Sequence, residues 1–159
     1  MADGMNDWVR LAERCEQATG PDREIDALIW LAFGDAKMRF SKASGGWAFF
    51  IAPFEDRQVA QLSNVKGCEA EAIKALGQYD FLPRPTASLD AITALIEREL
   101  PGWRVRWHTD GDGVHEAFLE DKGDFDAIDA RHTETFAASP ALALCAAFCR
   151  AMNEKEANA

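Results

Sequence analysis

Apolar residues recur at three- and four-residue intervals in several stretches, and alternate with polar ones in others. Trp8, Leu11, Ala12 and Cys15 make a first helical stripe, with Asn6 placed to cap it and Gly20 to end it. Pro21 suits the first position of a second helix. Ile25, Leu28, Ile29 and Ala32 form its core face, and Gly34 is its stop. Residues 35–46 read as a polar connection. "WAFFIAPF" (47–54) is an unbroken apolar run between Gly and Pro, expected to be a strand buried on both faces. Residues 55–65 read as loop, and 68–76 as a short helix ended by Gly77.

In "PRPTASLDAITALIERELPGW" (83–103) the prolines hold residues 82–85 extended. Thr86 or Ser88 can cap a helix whose stripe is Leu89, Ile92, Leu95, Ile96 and Leu100, and Pro101-Gly102 stops it. Every residue type in this run has a folding role. "WRVRWH" (103–108) alternates strictly, with Trp103, Val105 and Trp107 on one face and Arg104, Arg106 and His108 on the other. "VHEAFLE" (114–120) returns after a "TDGDG" turn. Centring that turn on Gly111 sets Trp103 opposite Leu119, Val105 opposite Ala117 and Arg106 opposite Glu116. Residues 121–138 read as an acidic loop. Ser139-Pro140 starts a last helix, apolar nearly all round over 141–152 and so buried on more than one side. Residues 153–159 are expected to fray.

With 48% apolar residues in 159, the chain can bury a core, and the expectation is a single domain over 1–159. Three stretches carry a family resemblance: "LAERCEQATGPDREIDALIWLAFG" (11–34), "LPRPTASLDAITALI…LPGWRV" (82–105) and "SPALALCAAFCRA" (139–151). In that order and spacing the chain resembles the phage ABA sandwich domain family, small proteins of phages and prophages. The resemblance implies an α/β fold, a three-layer α-β-α sandwich around a small antiparallel sheet. It implies no catalytic residues.

The net charge of −10 is concentrated: residues 109–134 hold nine carboxylates and two basic side chains. Such a field repels phosphates and argues against direct nucleic-acid binding. It suits a basic protein surface, with Asp121, Asp124, Asp126 and Asp129 as the contact residues. The expected function is that of a non-enzymatic phage or prophage accessory protein binding a macromolecule, a host defence component being one such target. A small-molecule, nucleotide-like binder using Trp103, Arg104, Arg106 and His108 as a pocket is the alternative. A metal-dependent hydrolase built on the acids of 108–134 is a weaker one. "HTDGDGVHE" fails as a calcium loop because His108 and Leu119 fall where carboxylates are needed. His108 and His115 face opposite ways, so no metal is expected, and no cofactor. Cys15, Cys68, Cys145 and Cys149 show no zinc spacing and read as small buried hydrophobes. No apolar run spans a bilayer and the N-terminus carries no secretory pattern, so a cytoplasmic location is expected, that of the host if phage-encoded. Homo-oligomers stay open.

Overall fold

The computed structural model describes residues 4–32, 36–41, 46–51, 58–62, 69–78, 82–121 and 132–158. In chain order the elements are α1 (Gly4–Gln17), α2 (Arg23–Ala32), β1 (Ala36–Ser41), β2 (Gly46–Ile51), β3 (Gln58–Leu62), α3 (Glu69–Gly77), α4 (Leu89–Glu99), β4 (Arg104–Thr109), β5 (His115–Glu120), β6 (His132–Ala137) and α5 (Pro140–Ala157). Their contacts divide the chain into two compact units, one of Met1–Asp22 with Arg84–Ala159 and one of Arg23–Pro83. No shift of composition announces that division. The expected α/β class, helices packed on a small antiparallel sheet, is what the chain forms.

The larger unit is built around α5. Ser139 caps it, its hydroxyl accepting from Leu142 N, and Pro140 takes the first turn. Residues 141–149, 151 and 152 are buried because α1, α4 and the sheet β4-β5-β6 all pack on this one helix. That surrounds it with apolar partners and accounts for its lack of a polar face. From α1 come Trp8, Leu11, Ala12 and Cys15, and from α4 come Ile92, Leu95, Ile96 and Leu100. Leu89 is half-buried, less central than the stripe implied. Trp8 meets Phe148 edge-on at 6.1 Å between centroids. The expected fraying of 153–159 gives way to helix as far as Ala157. Glu156 accepts from Trp8 Nε1 at 2.8 Å, and Lys155 donates to the carbonyl of Glu99 at 2.8 Å, so tertiary bonds hold the last turns.

Ser88 is the cap of α4, accepting from Ala91 N, whereas Thr86 is buried and bonds both the N–H and the carbonyl of Asp22. Asn6 lies inside α1, which begins at Gly4, and α2 begins two residues after Pro21.

Residues 121–138, read as loop, contain β6. Its inward residues are polar: Thr133 and Thr135 donate to the carbonyls of Ala147 and Ala143 at 3.1 and 2.6 Å. Two residues of strand advance about 7 Å and one helical turn about 5.4 Å, close enough for both bonds to form. Each hydroxyl is therefore satisfied inside the core.

In the smaller unit β1, β2 and β3 form an antiparallel meander with β2 in the middle and a register irregularity between Phe49 and Phe50. Residues 47–51 of the apolar run thus lie in a central strand, but of a sheet separate from the hairpin. Strands β1 and β3 replace the polar connection and the loop expected there. Pro53 lies outside the described residues. Helix α3 follows as expected, and Gly77 at its end is obligatory: a Cβ there would stand 2.6 Å from the carbonyl oxygen of Arg23. Arg23 donates to the carbonyls of Gly77 (2.6 Å), Leu82 (3.2 Å) and Pro83 (3.2 Å), and to the buried Asp26 carboxylate at 3.0 Å.

Candidate functional site

Helices cover one face of the sheet β4-β5-β6 through Ala117, Leu119, Thr133 and Thr135. The strand parity sends Arg104, Arg106 and His108 of β4, Glu116, Phe118 and Glu120 of β5, and Glu134 and Phe136 of β6 to the other. That face is open: Phe136 is 50% exposed. Cross-strand pairs are offset by two residues from the expected register. Arg104 stands opposite Glu120, Arg106 opposite Phe118, Val105 opposite Leu119 and His108 opposite Glu116. The cause is the turn. Asp110 Oδ1 accepts from the N–H groups of Asp112 and Val114, both at 2.9 Å, and Gly113 takes φ 78°, so the loop closes one residue later than a Gly111 centre. A shift of two keeps every side chain on its face, so the alternation survived although the partners changed.

Phe118 is the centre of the open face. The Arg106 guanidinium lies over its ring at 5.4 Å, and the His108 ring stacks on it at 6.3 Å with 8° between planes. Arg106 also bonds Glu120 at 2.5 Å, and His108 Nε2 lies 3.1 Å from Glu116 Oε2. The exposed Arg106–Glu120 ion pair is worth about 0–1 kcal/mol and serves to order the face more than to hold the fold. Trp103 has the opposite parity and does not join Arg104, Arg106 and His108, so the four do not form one pocket wall. Trp107, on the helix-facing side of an edge strand, is 47% exposed.

Glu116 has a second neighbour, Glu134, one strand further on. A hydrogen bond shared with Glu134 raises the Glu116 carboxyl above the ordinary value. Partial desolvation adds to this, as do the charges of Glu134 and Asp110, while His108 opposes it. A raised carboxyl favours the folded state at low pH, and that contribution is lost as pH rises through the folded pKa. Glu134→Gln will lower the pH at which Glu116 titrates, as followed by NMR of its side-chain carboxyl carbon. An unmoved midpoint would show that the two carboxyls do not share a proton.

Glu134 also borders an open groove of about 370 Å³, lined with it by Val9, Thr133, Arg150, Asn153 and Glu154. Arg150 is held there by Glu16 through bonds of 2.9 and 2.7 Å. The buried Asn153 Oδ1 has no hydrogen-bond partner among the described residues. The groove thus sets the Glu134 and Glu154 side chains beside Arg150.

Of the acidic residues expected to meet a partner, Asp121 is half-buried directly after β5. Asp124, Asp126 and Asp129 lie outside the described residues. The segment carrying them joins β5 to β6, and Glu120 pairs with His132 across it. Sequence reasoning missed Glu134 and Phe136 as members of the face, because it did not recognise β6. The Thr-x-Thr alternation of 133–135 was the available signal.

Among the described residues no group of three or more His, Cys, Asp or Glu is arranged to hold a metal ion, and no helix is long and apolar enough to cross a membrane. No family model, no curated protein and no solved structure matches the chain.

Proposed function

We propose that the protein is a non-enzymatic accessory protein of a phage or prophage that binds a basic surface of a macromolecular partner, in the manner of a host defence antagonist. The observation that carries the reading is the Glu116–Glu134 pair on the open sheet face, whose mutual repulsion a cationic partner would relieve. Three further features support it. The acid-rich segment 121–131 joins two strands of the same sheet, the groove beside β6 is lined by Glu134 and Glu154, and three stretches resemble the phage ABA sandwich proteins. Such carboxylates act mainly by speeding and orienting encounter.

The test begins with affinity capture from host lysate and then measures association of the purified partner at low and physiological salt. Neutralising Asp121, Asp124, Asp126 and Asp129 to Asn, alone and together with Glu116→Gln and Glu134→Gln, will slow association. It will also flatten the salt dependence and leave the fold intact. Equal on-rates and equal salt slopes for wild type and both variants would sink the reading.

A further inference from the structure

The open face of β4-β5-β6 carries its charge unevenly from edge to edge. Its basic side chains, Arg104, Arg106 and His108, all stand on β4, whereas β6 at the far edge presents Glu134 and Phe136, both exposed. Between them β5 contributes Glu116 and Glu120, which find their partners on β4. His108 Nε2 lies 3.1 Å from Glu116 Oε2, and Arg106 bonds Glu120. Glu134 has no ion-pair partner among the described residues. The register sets Arg106, Phe118 and Glu134 level across the three strands, and His108, Glu116 and Phe136 level in the next row. Each row therefore runs from a basic edge to an acidic or aromatic one.

Such a face is complementary to itself in one orientation. A two-fold axis parallel to β5 lays β4 of one copy on β6 of the other and keeps every row at its level, within the ordinary angle of aligned sheets. Arg106 then meets Glu134 of the other copy, and His108 meets Phe136 of the other copy, each contact made twice. Phe136 is 50% exposed, and the His108 ring it would cover already stacks on Phe118, so the contact extends an existing stack. Two other arrangements fail on charge. A two-fold at right angles to the strands sets β4 on β4, with Arg106 against Arg106. Continuing the sheet through the β4 edge crowds the same basic row against its copy.

We infer that the open face of β4-β5-β6 docks a second copy of this chain, about a two-fold parallel to β5, with Arg106 of each copy against Glu134 of the other. Three strands of six residues cover about 14 by 20 Å. That is well short of the roughly 800 Å² per partner of a standard stable interface, so the dimer forms and dissociates with concentration. The inference does not rest on the basic partner proposed above. Such a partner, in taking Glu134, would bind the monomer and compete with the dimer.

The experiment is sedimentation velocity of the purified full chain alone, so its outcome is separate from that of partner capture. A reversible monomer–dimer equilibrium is expected over a wide concentration range. Glu134→Arg and Arg106→Glu, each checked for folding by circular dichroism, will each weaken the dimer by about tenfold or more, because like charges then meet twice. An equimolar mixture of the two variants will associate more tightly than either alone, since every mixed contact again joins a base to an acid. If Arg106→Glu does not fold, Glu134→Arg and Phe136→Ala, both at exposed side chains, must each weaken association. A wild-type chain that stays monomeric at every concentration would overturn the inference. So would a dimer indifferent to these substitutions, or a mixture no tighter than the single variants.

Discussion

Arg23→Ala will destabilise the unit Arg23–Pro83 by about 3–5 kcal/mol, the cost typical of breaking a buried ion pair. Asp26 is fully buried at the start of α2, and Arg23 Nη1 lies 3.0 Å from its Oδ2. The same guanidinium collects the carbonyls of Gly77, Leu82 and Pro83, so it ties the end of α3 and the segment after it to α2. An ammonium cannot serve acceptors spread in this way, because its donors radiate from one point. Arg23→Lys should therefore recover little of the loss. Arg23→Ala combined with Asp26→Ala should be less unstable than Arg23→Ala alone, since the buried carboxylate that loses the guanidinium is gone. Urea unfolding of these three variants and of Asp26→Ala alone decides it. A double variant worse than the single by the full cost of Asp26→Ala would show that the two side chains do not act as a pair.

The second large effect is expected at Phe148, where Phe148→Ala will cost about 3–5 kcal/mol in denaturant unfolding. The ring is fully buried and meets the Trp8 edge, with the Trp8 indole held in turn by Glu156. Helix α5 is packed by α1, α4 and the sheet, so the surrounding elements cannot close on the cavity without losing their own contacts. Phe148→Leu keeps most of the volume and should lose roughly 1 kcal/mol or a little more. An alanine variant as stable as wild type would mean that α1 moves into the space, and the Trp8 fluorescence environment would then change.

Local chemistry was legible wherever one residue type has one job. Ser88 and Ser139-Pro140 start helices because a side-chain oxygen can satisfy a free N–H, and no tertiary contact is needed for that. The stripe Ile92, Leu95, Ile96 and the all-round apolarity of α5 announced how many sides each helix buries. The alternation of 103–108 and 115–120 placed Arg104, Arg106, His108, Glu116 and Glu120 on one face, even though the register moved by two, because parity is insensitive to an even shift. In β1 the alternation Ala36, Met38, Phe40 against Lys37, Arg39, Ser41 was also present, masked by the charges between the apolar residues.

Tertiary structure decided the rest. Thr133 and Thr135 point inward in β6 because the Ala147 and Ala143 carbonyls of α5 accept from them, and a polar residue's right to be buried depends on a partner that its own neighbours do not reveal. The last turns of α5 persist because Trp8 and the end of α4 bond them. The Glu116–Glu134 pair exists because β6 lies beside β5. Trp8 and Glu156 are bonded although most of the chain's length separates them, because α1 packs along α5, and no local pattern in the sequence announces such a partner.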